Sequence, residues 1–121
     1  AQSGDKGITI SLENIQFEAE SAFLTEAELR KLRKIAEILK DFPDNDLLIS
    51  GHTALAGTAA GRQKLSEQRA SAVADYLAEL GVKRHEQLFT KGFGAQVPIA
   101  PNTTEAGKAR NRRVEITILD K

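Results

Sequence analysis

Ser50 to Arg69, SGHTALAGTAAGRQKLSEQR, leaves an apolar-alternating segment, passes through small and polar residues, and enters a helix. That helix carries an arginine on its apolar stripe. This is the layout of a ligand-binding loop at the end of a strand. Upstream, Leu47, Leu48 and Ile49 form a short apolar run before Gly51, which predicts a buried strand from Asp46 to Thr53. Downstream, the helix starts between Gly57 and Leu65 and runs to Leu80, with Gly81 as its left-handed cap. Its stripe is Leu65, Ala72, Val73, Tyr76, Leu77 and Leu80, and Arg69 falls on it.

The other elements build outward from this unit. Residues Ala1 to Gly7 read as a linker, and residues 8–121 as one domain. Ile8, Ile10 and Leu12 alternate with Thr9 and Ser11 in a first strand. Glu18 to Phe23 reads as an irregular loop with two carboxylates. Thr25-Glu26-Ala27-Glu28 has the form of a capping box. Leu29, Leu32, Ile35, Ala36 and Leu39 follow at helical spacing, with Arg30, Lys31, Arg33 and Lys34 on a solvated face, up to about Asp41. Leu88 to Phe93 alternates as a third strand, Thr104 opens a short helix, and Val114, Ile116 and Ile118 make the last strand. The predicted fold is α+β, of βαβαββ type: a mixed four-stranded sheet with two main helices packed on one face.

Composition removes several classes of function. Seventeen Lys+Arg balance seventeen Asp+Glu, so no bulk field favours nucleic acid or an anionic membrane. With no cysteine there is no disulfide, thiolate zinc site or thiol nucleophile. No apolar run approaches the ~18 residues that cross a bilayer. A chain that opens Ala1-Gln2-Ser3-Gly4 is expected to be a processed or excised piece of a longer protein. Gly107 to Arg113, GKARNRR, is a local exception to charge balance, with four cations and no anion. It reads either as a solvated turn or as an anion-facing rim.

Arg69 is the most informative side chain. A guanidinium set into an apolar stripe loses hydration, and a buried charge without a partner costs about 3–5 kcal/mol. Its anion is either internal, such as Glu18, Glu20 or Glu67, or a ligand carboxylate held bidentately. His52 reads as a hydrogen-bonded strand histidine, since no second metal-ligating residue is near it in sequence. His85 reads as exposed. Ser66 sits where serine commonly caps a helix, without the glycines of a nucleophile elbow. Glu18 and Glu20 are a weak acid–base pair, and Gly92-Phe93-Gly94 is too short for a nucleotide site.

Several segments together resemble the OmpA-like domain family, which includes the periplasmic part of outer-membrane protein A, peptidoglycan-associated lipoprotein and the flagellar stator protein MotB. They are Gly51-His52-Thr53, Gly57, Leu65-Ser66 with Arg69-Ala70, Tyr76-Leu77 with Gly81-Val82, Gly92-Phe93-Gly94, Pro98, Asn102 with Thr104, Gly107, and Asn111-Arg112-Arg113-Val114-Glu115. The resemblance runs from about residue 8 to 119. It implies non-catalytic binding of peptidoglycan stem peptide in the periplasm, with no cofactor and no membrane insertion by this segment. In such domains an aspartate after Gly-His-Thr pairs with the ammonium of diaminopimelate, and the arginine of Leu-Ser-x-x-Arg-Ala holds its carboxylate. The arginine is present as Arg69, but the aspartate position is Ala54, and Arg62 stands where an asparagine is common. The implied ligand residues are Arg69, Arg112 and Thr53, with Glu20 or Glu18 replacing the missing acid. The alternative is a domain that keeps the fold, has lost wall binding and serves other cell-envelope proteins. The first reading requires an open cleft; the second, a cleft filled by Arg62 or an Arg69 tied to an internal glutamate.

Overall fold

In the computed structural model the described residues are 2–4, 7–13, 24–55 and 57–119. They form β1 (Gln2–Gly4), β2 (Gly7–Glu13), α1 (Glu26–Leu39), β3 (Leu47–His52), α2 (Ala59–Glu79), β4 (Leu88–Gly92), α3 (Glu105–Asn111) and β5 (Arg113–Leu119). One sheet holds all strands in the order β1-β2-β5-β3-β4. β5 pairs antiparallel with both β2 and β3, and β4 pairs parallel with β3 through the α2 crossover. The expected mixed four-stranded sheet is therefore present, with one addition. Gln2–Gly4, expected within a linker, pairs antiparallel with β2 as a short edge strand, closing at Gly4 opposite Gly7.

The alternation in β3 and β5 decides which face is covered. Leu47 lies opposite Ile118 and Ile49 opposite Ile116, so these side chains share one face of the sheet. Leu32, Ile35 and Leu39 of α1 and Ala70, Val73, Ala74 and Leu77 of α2 close over them. Each Leu or Ile wholly withdrawn from water there contributes about 1.5–3 kcal/mol.

Two local expectations are corrected. Thr25 occupies the position before α1 in extended conformation, but its side chain makes no cap and its hydroxyl is buried without a partner among the described residues. The capping box fails because Glu28 is buried and directs its carboxylate to Lys31 Nζ at 3.1 Å. In α2 the expected Val73 and Leu77 are buried, but Ser66, Ala70 and Ala74 complete the buried line in place of Leu65, Ala72, Tyr76 and Leu80. The difference follows from close approach: a Cβ on Gly51 would lie 2.1 Å from the Ser66 carbonyl oxygen. Small residues face the sheet where helix and strand nearly touch.

Candidate functional site

The C-terminal end of β3 and the first turns of α2 are tied together by backbone and short polar groups. Ser66, inside the helix rather than capping it, accepts from Gly94 N at 2.9 Å and donates to Gln63 O at 2.8 Å. Gln63 Nε2 donates to Gly92 O at 2.6 Å, and Thr53 N donates to Gly94 O at 2.8 Å. The true N-cap is Thr58, whose side chain accepts from Gly61 N. These bonds place the loop after β3 beside α2 in a fixed register.

A third piece arrives from α3. Thr104 caps it, accepting from Gly107 N at 2.9 Å, as its sequence position suggested. Asn111 is fully buried at its end. Its Oδ1 accepts from Ile99 N and Ala100 N, and its Nδ2 donates to Ala100 O and to Asn102 Oδ1. Asn102 Oδ1 also accepts from Leu55 N at 3.2 Å, which joins this loop to the one after β3. The next residue, Arg112, is thereby set opposite α2.

Between these pieces lies a cleft of ≈ 610 Å³. Thr53, Ala54, Arg62, Arg69 and Arg112 all line it, so five positions singled out in the sequence meet in one place. Lys64 and Gln68 line it too. Sequence reasoning passed over them, although their four-residue spacing puts them on one side of the helix. Glu20, and Glu18 beside it, lie outside the described residues. Arg62 Nη1 donates to Gly57 O at 2.8 Å, holding the side chain against the loop. Burial lowers the pKa of Arg69, and the neighbouring Arg112 guanidinium lowers it further.

The remaining candidates do other work. Of the GKARNRR cations, Arg112 alone is among the described residues lining the cleft. Lys108 pairs with Glu105 at 3.4 Å, and Arg113 is buried on β5 with Nε 2.7 Å from Glu115 Oε2. The four cations of the charge run thus do not act as one surface, since Arg112 lines the cleft while Arg113 turns inward on β5. His52 is buried, but neither ring nitrogen has a hydrogen-bond partner among the described residues. Its ring is held instead by stacking on Phe93, with centroids 5.2 Å apart and planes 4° from parallel. His85 is exposed. Among the described residues no cluster of three metal-ligating side chains occurs.

The model of the OmpA family matches residues 16–112, four-fifths of the chain. The chain belongs to the OmpA family. This OmpA-family domain is 39% identical over 117 residues to the probable lipoprotein YiaD of Escherichia coli K12, covering 97% of the chain and 53% of that protein. It is 41% identical over 104 residues to the peptidoglycan-binding protein ArfA of Mycobacterium tuberculosis H37Rv, covering 86% of the chain and 32% of ArfA. Among solved structures, an outer membrane protein of Borrelia burgdorferi B31 superposes with TM-score 0.82 at 39% identity, covering 98% of the chain and 95% of that protein. The OmpA-family chain thus spans about half the length of YiaD and a third of ArfA. Its fold is that of a non-catalytic domain class found in cell-envelope proteins. None of its described helices is long and apolar enough to cross a membrane.

Proposed function

We propose that this domain attaches to the cell wall from the periplasm by binding peptidoglycan stem peptide in the cleft, with altered recognition of the diamino acid. The observation that carries the reading is the pairing of Arg69 and Arg112 in one cleft, near enough for the second guanidinium to depress the pKa of the first. Two like charges held together and partly dried are stabilised by anions, and guanidinium forks fit carboxylates bidentately. Stem peptides carry carboxylates. Similarity to the peptidoglycan-binding protein ArfA supports the same ligand class.

Recognition is altered because Ala54 is buried in the cleft wall and offers no carboxylate to an ammonium. Such a charge-assisted hydrogen bond is worth roughly 1.5–3 kcal/mol, about ten- to over a hundredfold in affinity. Glu20 is the proposed replacement acid where the ligand amine is charged. A module that kept the fold and lost the wall is the competing reading. The open cleft, with Arg62 drawn to Gly57, supports attachment.

The test is binding to insoluble peptidoglycan and defined stem peptides by wild type, Ala54→Asp and Arg69→Ala, with wall from the source organism included. Binding by wild type that Arg69→Ala abolishes supports attachment. Failure of wild type on every wall, with recovery in Ala54→Asp, means that the fold was kept while recognition was lost.

A further inference from the structure

Beyond Arg69 and Arg112, the cleft offers two further polar side chains. Lys64 and Gln68 line its outer lip from α2, one helical turn apart, and both are exposed. Neither side chain makes a hydrogen bond or ion pair among the described residues. Helical geometry sets Lys64 about 7.5 Å before Arg69 along the axis and about 140° around it. The two cations therefore approach a ligand from different sides, and one carboxylate does not satisfy both. Their axial offset is about two residue steps of an extended peptide. The cleft has the room, since ≈ 610 Å³ is more than one amino acid fills. Leu65, half-buried in the same wall, gives the intervening chain an apolar surface. A ligand anchored at Arg69 by its diamino acid thus carries the neighbouring residue to the lip.

In a stem peptide that neighbour is a glutamate joined to the diamino acid through its side-chain carboxyl, which leaves its α-carboxyl outside the chain. This group is a carboxylate in some walls and a carboxamide in others. Resting on the stem-peptide reading above, we propose that Lys64 reads this group, so that the cleft favours stem peptides with the free α-carboxylate over the amidated form. The Lys64 ammonium has three donors and no acceptor, so it pairs with the carboxylate and gives a carboxamide NH2 nothing to donate to. The Gln68 amide, donor and acceptor at once, accommodates either form. Selection therefore belongs to Lys64.

Calorimetry tests this with two soluble probes: a tripeptide of alanine, γ-linked glutamate and diaminopimelate, and the same peptide with the glutamate α-carboxyl amidated. Wild type is expected to bind the free-carboxylate peptide about threefold to fivefold more tightly, the strength of an exposed ion pair, with the preference shrinking as salt is raised. Lys64→Gln binds the two peptides equally and Lys64→Arg keeps the preference; the exposure of Lys64 lets both variants fold as wild type does. Equal binding of the two peptides by wild type, or a preference that survives in Lys64→Gln, overturns the role of Lys64 while stem-peptide binding stands. Binding of neither peptide by wild type overturns both.

Discussion

Arg69 and His52 are ionisable side chains withdrawn from water near the end of β3, and burial pushes each toward its neutral form. On the proposed reading Arg69 keeps its charge by holding a ligand carboxylate. Arg69→Lys keeps a charge but loses the fork, so stem-peptide affinity should fall about tenfold, and Arg69→Ala should lower it at least as far, both read by calorimetry. His52 behaves differently. Burial first, then the Arg113 charge, lower its pKa from 6.5 to about 4, with Glu115 opposing. Between those values the unfolded chain binds a proton that the folded chain does not, so stability falls as pH drops from about 6.5 to about 4. At 1.36 kcal/mol per pH unit the loss is about 3 kcal/mol. Urea unfolding across that window should show it in wild type and not in His52→Phe, and an NMR titration should place the His52 midpoint near 4. The position of Arg69 was legible because an arginine on an apolar stripe is a local anomaly. The His52 environment was not, since its stacking partner Phe93 and its charged neighbours Arg113 and Glu115 come from other parts of the chain.

Between elements, the site depends on backbone approach. Gly51 has no room for a side chain beside the Ser66 carbonyl, so Gly51→Ala should destabilise by about 1–3 kcal/mol by prying α2 from β3. Because that gap also sets the cleft, peptide affinity should fall with stability; a variant of unchanged denaturation midpoint would contradict the packing. Asn111 satisfies backbone groups of the 99–100 loop and the Asn102 side chain from one buried amide. Asn111→Ala leaves those groups unpaired, an expected loss of about 2–4 kcal/mol measurable by thermal or urea unfolding. The apolar pattern located both main helices and the β3, β4 and β5 strands, as a one-sided stripe in α1, an alternation in β5 and a short continuous run in β3. In α2 it found Val73 and Leu77 but missed the rest of the buried line, because helix–sheet contact there is also made by Ser66, Ala70 and Ala74, which weigh little as hydrophobic signals. The Thr25 capping box misled for a related reason: the pattern fits, but tertiary burial redirects Glu28 to Lys31. β1 was hidden because Gln2–Gly4 is three polar or small residues whose strand state comes only from pairing with β2.

For the whole molecule, one sheet with two helices on one face leaves its loops after β3 and before β5 at the mouth of a single cleft. The order of elements carried that architecture, since a crossover, an antiparallel return and a covered face leave few arrangements. What the order could not carry is which cations converge. Arg62, Lys64, Arg69 and Arg112 come from two segments some forty residues apart, brought together by the Asn102 and Asn111 bonds rather than by any local pattern. The chain covers only part of YiaD and ArfA, and the proposed attachment concerns the cleft of this domain alone. The most direct measurement is co-sedimentation of the purified domain with insoluble peptidoglycan from the source organism, comparing wild type with Arg69→Ala. Pelleting of wild type with the wall, and at least a tenfold weaker association of a folded Arg69→Ala variant, is the predicted result. Equal pelleting of the two, or none by wild type, would contradict it.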